Sequence, residues 1–214
     1  MRKLLGALVV GAAVAAIYQR FLREPVLNWG ATAEEAVRRL PGDELLEHAD
    51  IVATRATTVN APPSAIWPWL VQMGPGRGGA YTYDWIENLF GLDMHSAEEI
   101  LPELQHLEVG TVLRSPNGDM GMRVEILEPE RVLTSRSEDG TWVWTFVLEE
   151  QEGRTRLLSR NRIRVGGSLG GRLAMLAMEP GSLVMEHKML RGIKKRAERL
   201  SAADPTHSPD SHPK

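Results

Sequence analysis

Residues 109–165 read VGTVLRSPNGDMGMRVEILEPERVLTSRSEDGTWVWTFVLEEQEGRTRLLSRNRIRV, and this stretch is the most informative about the architecture of the chain. Runs rich in β-branched and aromatic residues alternate in it with short turn sequences. The turns are Asn117-Gly118, Glu128-Pro129-Glu130, Asp139-Gly140 and Glu152-Gly153. The strands predicted between them are Val109–Ser115, Met122–Leu127, Val132–Ser137, Thr141–Glu149 and Arg154–Val165. Because turns this short join only antiparallel neighbours, the stretch predicts an antiparallel meander.

A further strand and several helices are predicted before the meander. The strand is Ile51–Val59, and the helix after it has apolar residues at positions i, i+3, i+4 and i+7: Ile66, Trp69, Leu70 and Met73. A shorter helix is expected over Tyr83–Phe90. Another is expected from Ser96, which forms a capping box with Glu99.

A long helix follows the meander. It is predicted over Arg172–Leu200, after Gly166-Gly167, with a kink at Pro180-Gly181. Together these elements indicate an α+β domain in which a curved antiparallel sheet wraps around a long C-terminal helix, the helix-grip arrangement.

Both ends of the chain are predicted to lie outside this domain. Residues 1–23 contain fifteen uncharged residues, Leu4–Tyr18, which predict a separate apolar helix acting as a membrane anchor. The alternatives are a cleaved signal peptide, and hence a secreted protein, or a soluble helix. Balanced flanking charges leave the side of the membrane undetermined. We expect a polar connector at residues 24–50, the domain at residues 51–200 and a disordered tail at residues 201–214.

Several segments of the domain resemble a known family. They are Ala61-Pro62-Pro63, Ile66-Trp67-Pro68-Trp69-Leu70-Val71-Gln72-Met73-Gly74, Gly78-Gly79, Tyr83-Asp84-Trp85-Ile86-Glu87-Asn88 and Met189-Leu190-Arg191-Gly192-Ile193-Lys194. They are similar to a bacterial subgroup of the SRPBCC superfamily, which includes the polyketide cyclase/dehydrase group. The resemblance spans residues 51–200 and implies a START-like or Bet v 1-like helix-grip fold with a hydrophobic cavity. It does not specify what the cavity holds.

Strand alternation sorts the two faces of the predicted sheet. Trp142 and Trp144 share one face, which must be covered. Ser159 and Asn161 lie on the mainly apolar inward face of their strand, opposite arginines expected to face water: Arg156, Arg160, Arg162 and Arg164. Ser159 and Asn161 either bond to neighbouring groups or are offered to a ligand, because a buried polar group needs a partner.

Six of the twelve aromatic residues fall between Trp67 and Phe90. Rings with polar tips beside a glycine-rich loop are typical of a pocket mouth. The alternative is that Trp85 fills the core and that Asp84 and Asn88 brace the short helix. The last helix adds flexible methionines suited to closing over a ligand. The predicted ligand-binding residues are Trp69, Arg77, Tyr81, Tyr83, Trp85, Asn88, Trp142, Trp144, Ser159, Asn161, Met178 and Met185.

Candidates for catalysis are weaker. His95, Asp84 and Tyr83 are the candidate acid–base residues, with Glu87 as a further partner for His95. The histidines show no metal-binding spacing, so we expect no metal and no cofactor. The G-x-S-x-G match at Gly166-Gly167-Ser168-Leu169-Gly170 follows a hairpin strand and not a parallel sheet, so it does not indicate a hydrolase.

Composition excludes several classes of protein. The chain has 214 residues, a net charge of −3 and no cysteine. The absence of cysteine excludes disulfides, thiolate catalysis and iron–sulfur clusters, and the net charge does not favour nucleic acid as a partner. The sequence thus predicts a membrane-tethered domain that binds a hydrophobic small molecule or lipid. The alternative is a cyclase- or dehydratase-like enzyme acting on an aromatic or polyketide-type substrate.

Overall fold

The computed structural model describes residues 11, 13, 15–89, 91–115, 118 and 121–203, with Leu169 described for its backbone only. Its centre is a curved sheet of six antiparallel strands in the spatial order β1-β6-β5-β4-β3-β2. The strands are β1 (Ile51–Val59), β2 (Val112–Arg114), β3 (Gly121–Glu128), β4 (Val132–Ser137), β5 (Trp142–Gln151) and β6 (Arg154–Ile163). The antiparallel sheet and the α+β class predicted from the sequence are confirmed.

Five α-helices surround the sheet within the described part of the chain. They are α1 (Arg23–Leu27), α2 (Ala33–Val37), α3 (Pro63–Val71), α4 (Asp84–Leu89) and α5 (Leu169–Ala203). A π-helical turn, Tyr18–Leu22, precedes α1, and short 3₁₀ turns lie at Asp43–Leu46 and Pro102–Leu104. The long C-terminal helix is confirmed, and it continues through Pro180 without ending there.

Helix α5 divides into two halves with different surroundings. Met189, Leu190 and Ile193 of the second half are almost fully buried in the main core, against α3 and the sheet. Gly192 makes this contact close, because a Cβ atom there would lie 2.7 Å from the carbonyl oxygen of Tyr81. In the first half, Leu173 and Met178 are more than half exposed, so this half is less firmly packed.

The outer face of the sheet is covered by the residues predicted to be a connector. Leu40 packs on Leu158 and Val147, and the arginines of β6 bond to the covering chain. Arg160, which is only 2% exposed, donates to the carbonyl oxygens of Glu35, Ala36 and Arg38 and to Asp43. The expectation that all four arginines face water is therefore wrong, because backbone carbonyls of residues 35–48 replace the water.

The helix predicted from Ser96 is also wrong. Both the backbone N–H and the hydroxyl of Ser96 donate to the carboxylate of Asp84, at 2.8 and 2.6 Å. Ser96 thus ties a loop to α4 instead of starting a helix, and residues 97–101 are not helical. A capping sequence also suits loop bracing, since both uses need the same short side chain beside free N–H groups.

The prediction of a membrane-associated N-terminal segment is corrected by the structure. Residues 1–10, 12 and 14 of that segment lie outside the described residues. Within the described ranges, no helix has the length and apolar character needed to cross a membrane. Near the end of the segment, Tyr18 and Arg23 both bond to Glu179 of α5 and so pack against the domain. Of the predicted tail, residues 204–214 lie outside the described residues, and residues 201–203 complete α5.

Candidate functional site

A two-lobed cavity lies between the inner face of the sheet and the helices. The first lobe, of about 240 Å³, lies under the first half of α5, against β1, β5 and β6. The second, of about 280 Å³, lies between α3, the loop after it and the far strands of the sheet. The lobes share four lining residues and are therefore contiguous: Ala80, Glu87, Trp142 and Trp144. Each lobe approaches the size of a small-ligand site.

The junction of the lobes is formed by an aromatic pair on β5. The rings of Trp142 and Trp144 stack with 5.6 Å between centroids and 19° between planes. Phe146 continues the row, 4.9 Å from Trp144. The three side chains lie on one face because successive inward residues on a strand are two apart. A wall of this kind offers a large apolar surface with fixed ring orientations.

Ser159 and Asn161 hold the two indole rings in place. The Nε1–H of Trp144 donates to Ser159 Oγ at 2.9 Å, and that of Trp142 donates to Asn161 Oδ1 at 2.8 Å. Both polar residues donate in turn to the carboxylate of Glu186, Ser159 at 2.5 Å and Asn161 at 3.2 Å. Their polar groups are thus satisfied within the protein, although Asn161 also lines the first lobe. Of the two readings left open by the sequence, the structure shows bonding to neighbours.

Glu186 and Arg55 form a buried ion pair at the base of this network. Arg55, which is 1% exposed, donates to Glu186, to Ser182 Oγ at 3.0 Å and to the carbonyl oxygen of Val26. Burial raises the pKa of Glu186, and the guanidinium of Arg55 opposes that rise. Every neighbour that bonds to the carboxylate is a donor, which is the arrangement that an ionised carboxylate requires.

A second ion pair closes one end of the first lobe. Arg23 of α1 donates to both carboxylate oxygens of Glu179, at 2.7 to 3.1 Å, and the Tyr18 hydroxyl donates to the same group at 2.9 Å. Burial and the neighbouring carboxylate raise the pKa of Tyr18 to about 12. Leu27 of α1 lines the lobe directly. The chain before β1 is therefore part of the cavity wall.

Glu87 differs from the other two carboxylates of the cavity. It lies on α4 and lines both lobes, and its Oε2 atom is buried without a hydrogen-bond partner among the described residues. The nearby Thr82 hydroxyl favours the charged form of Glu87, although Thr82 Oγ1 is itself buried without a hydrogen-bond partner among the described residues. Burial raises the pKa of Glu87, and the nearby Asp84 acts in the same direction. A buried polar atom without a partner is unusual in a folded protein and marks a site of interest.

Three of the predicted binding residues belong to the core and its braces. The Tyr81 hydroxyl donates to the carbonyl oxygen of Trp69 at 2.9 Å, and both side chains are almost fully buried. Burial raises the pKa of Tyr81. Arg77 donates to the carbonyl oxygens of Val71 and Leu104, so it ties the glycine-rich loop to the end of α3. None of the three is among the residues that line the cavity.

Three others lie at the surface around α4. Trp85 is 66% exposed, and Tyr83 lies under the ammonium group of Lys188, 5.6 Å from the ring centroid. Asn88 exchanges hydrogen bonds with the backbone of Met94, at 2.6 and 2.9 Å, and braces the following loop. Phe90, which completed the aromatic cluster in the sequence, lies outside the described residues.

The three candidate acid–base residues are not brought together at the cavity. His95 is 75% exposed and contacts Asp93 at 3.1 Å. Asp84 is engaged by Ser96, and Tyr83 is at the surface. Among the described residues, no group of three or more acidic or histidine side chains is placed to hold a metal ion.

The structure therefore assembles part of the predicted set around the lobes: Trp142, Trp144, Asn161, Met178 and Met185. Sequence reasoning missed Arg55 and Glu186, and it considered Glu87 only as a partner of His95. The burial of Arg55 could have been predicted from the sequence, because strand alternation places it on the same apolar face of Ile51–Val59 as Ile51 and Ala53. A lone charge on a buried strand face needs a partner, which Glu186 supplies from a distant helix.

The chain has only distant similarity to known proteins. No family model and no curated protein matches the chain. Among solved structures, KanY is 15% identical over 71% of this chain and 99% of its own, with a TM-score of 0.47. DynU16, from the dynemicin biosynthetic locus, is 21% identical over 66% of this chain and 46% of its own, with a TM-score of 0.42. CalU16 from Micromonospora echinospora is 16% identical over 71% of this chain and 86% of its own, with a TM-score of 0.35. At these levels of similarity, functional conclusions rest on the geometry of this chain alone.

Proposed function

We propose that this protein binds a hydrophobic small molecule in the two-lobed cavity. The observation that supports this function is the pair of contiguous lobes, lined mainly by aliphatic and aromatic side chains with few polar groups. This combination is typical of sites that take up small apolar ligands. It also accords with the cavity implied by the resemblance to the SRPBCC superfamily, whose membership stays a prediction.

The distribution of polar groups favours binding of a compact molecule. Ser159, Asn161 and Glu186 satisfy one another and hold the tryptophan rings, so they shape the wall without needing a ligand. The exposed first half of α5, including Met178, lies over the first lobe. Methionine side chains adapt to different ligand shapes at low energetic cost.

Binding is tested by titrating the purified protein with N-phenyl-1-naphthylamine, a neutral probe that fluoresces in apolar surroundings. We expect saturable binding to the wild type and loss of binding in Ala80→Phe, since Ala80 lines both lobes. Ala202→Phe, on the exposed end of α5, is the matched control and should bind normally. Circular dichroism verifies that both variants fold, and the smaller Ala80→Leu serves if the phenylalanine is not accommodated. Unchanged binding in the folded Ala80 variants would exclude this cavity.

A second function, acid–base catalysis on the bound molecule, is favoured by one observation. Glu87 lines both lobes with a carboxyl group whose pKa is raised by burial and whose buried Oε2 atom has no hydrogen-bond partner among the described residues. A general acid or base needs a pKa near the working pH and access to the ligand, and burial supplies the first. A cyclase- or dehydratase-like reaction would then depend on Glu87 and not on His95. Comparing turnover of a substrate found by screening in Glu87→Gln and His95→Gln decides between these two residues.

A further inference from the structure

We propose that the ligand of this cavity carries a protonated amine, held at the junction of the two lobes beside Glu87. This inference rests on the proposed binding function and adds the chemical class of the molecule bound. It starts from the balance of charges around the cavity.

Three carboxylates line the cavity, and two of them have cationic partners. Glu179 is paired with Arg23, and Glu186 is paired with Arg55. Glu87 has no such partner among the described residues, and neither lobe contributes a second cation besides Arg55. Within the part of the chain that the structure describes, the wall of the cavity thus holds one carboxylate without a cationic partner. A buried carboxylate is strongly favoured by a cation at hydrogen-bond distance.

The surroundings of Glu87 suit a cation better than a neutral group. Asp84 is acidic as well and adds to the negative potential at Glu87. Trp142 and Trp144 line the same junction, and their N–H groups are engaged by Asn161 and Ser159. Their carbon surfaces therefore remain to face the lobes, and an ammonium group beside an aromatic ring gains further attraction.

The position of Glu87 also indicates where the amine lies within the ligand. Since Glu87 lines both lobes, a nitrogen beside it has apolar space on two sides. A secondary amine with an aromatic or alkyl group on each side of the nitrogen fits this layout. The Thr82 hydroxyl lines the first lobe as well, and its oxygen can accept a second N–H of such an amine.

The test compares dibenzylamine with dibenzyl ether, which has almost the same shape but no positive charge. Each competes with N-phenyl-1-naphthylamine in the wild type, in Glu87→Gln and in the exposed control Glu103→Gln. We expect the amine to bind about tenfold more tightly than the ether in the wild type and in Glu103→Gln. The amine and the ether should bind equally in Glu87→Gln. Glu87→Asp keeps the negative charge on a shorter side chain, further from the ligand, and should give an intermediate ratio of amine to ether affinity.

The outcomes separate this inference from the proposed function. The probe could bind while the ether competes as well as the amine, or while neither competes. Either result would overturn the proposal of an amine ligand and leave the proposed cavity binding intact. An ether that binds better than the amine would show that Glu87 acts as a protonated donor to a neutral ligand. A preference for the amine that survives Glu87→Gln would remove Glu87 as its cause. If the probe does not bind at all, the proposed function fails and the amine fails with it.

Discussion

Polar residues of β6 point alternately to the two faces of the sheet, and their hydrogen-bond partners differ between the faces. On the outer face, Arg160 donates to three backbone carbonyls and to Asp43 of the chain that packs on the sheet, and to Thr54 of the neighbouring strand β1. On the inner face, Ser159 and Asn161 bond to Glu186 and to the indole N–H groups. On the inner face, Asn161 and Glu186 of this network also line the first lobe of the cavity.

The comparison of the two faces shows that buried polar groups can have structural or functional roles, depending on whether their hydrogen bonds are complete. The outer arginines are bonded by main-chain carbonyls, which position the covering segment of residues 29–48. The inner network fixes the orientation of two rings that face empty space, and Glu87 remains unpartnered within the described residues. Groups whose bonding is complete stabilise the fold, and a group left incomplete beside a cavity is available to a ligand.

The largest effect is expected on the inner face, from Arg55→Met. Removing the guanidinium leaves Glu186 buried and uncompensated, and loss of one partner of such a pair costs about 3–5 kcal/mol. Urea unfolding followed by circular dichroism measures the change. The matched control is Arg114→Met, in an ion pair whose arginine is 53% exposed, where we expect a change below about 1 kcal/mol. Equal effects in the two variants would show that the inner pair contributes no more than a surface pair.

A smaller loss is expected on the outer face, from Arg160→Met. Several acceptors lose their donor together, but they lie on a surface segment that water can reach, so we expect a loss of about 2–3 kcal/mol. Hydrogen exchange should also increase in residues 35–46 while the cavity still binds probe. Arg164→Met, where the arginine makes one long bond of 3.5 Å to His48, is the control. Exchange that is unchanged in Arg160→Met would show that this arginine does not hold the covering segment.

The inner network itself is probed by Ser159→Ala. The change removes the acceptor of the Trp144 N–H and one donor to Glu186, and we expect a loss of about 1–2 kcal/mol. Near-ultraviolet circular dichroism should change as well, because the indole ring is no longer held in one orientation. Ser64→Ala, at an exposed serine, should alter neither quantity. An unchanged near-ultraviolet spectrum in Ser159→Ala would mean that packing alone orients Trp144.

The smallest effect is expected from Glu87→Gln, and it depends on pH. Burial raises the folded-state pKa of Glu87, so the folded protein holds this proton more tightly than the unfolded chain does. The stability linked to the proton is present at acid pH and is lost as the pH rises through the folded-state pKa. Glu87→Gln should therefore raise the free energy of unfolding at pH 7 by about 1 kcal/mol or less, and should raise it less at acid pH. Denaturation across pH measures this, with Glu103→Gln as the control. A gain that is larger at acid pH would contradict the direction of the shift.

Much of the fold could be predicted because it depends on local patterns. The ranges Ile51–Val59 and Val132–Ser137 were predicted as strands with the bounds that the structure shows. Turn residues and period-two alternation involve residues that are close together in the chain, so a single sequence is enough to recognise them. The predicted helix at Ser96 failed because the same capping residues bond to Asp84, twelve positions away. Local propensity cannot anticipate a partner at that distance.

The candidate site was predictable where it follows from strand alternation or from the methionines of the last helix. Trp142, Trp144 and Asn161 were assigned to the inner face from their strands, and they line the cavity. The aromatic cluster around Tyr81 and Trp85 suggested a pocket mouth, but the structure divides it between the core and the surface. Aromatic residues occur both in the core and at the surface. Which of the two a given ring occupies here depends on contacts between residues that are far apart in the sequence.

The sequence alone was enough to place six strands and a long C-terminal helix in chain order, to pair the strands of the meander antiparallel and to assign Ser159 and Asn161 of β6 to the inward face. These properties follow from spacing along the chain and from the lengths of the turns. Three-dimensional packing was needed to pair β1 with β6, to lay residues 29–48 over the outer arginines and to bring Arg55 to Glu186 across 131 positions. It also leaves Glu87 Oε2 without a hydrogen-bond partner among the described residues. Which acidic side chain pairs with Arg55 depends on proximity in three dimensions and not on spacing along the chain. The sequence alone therefore does not single out Glu186 as the partner.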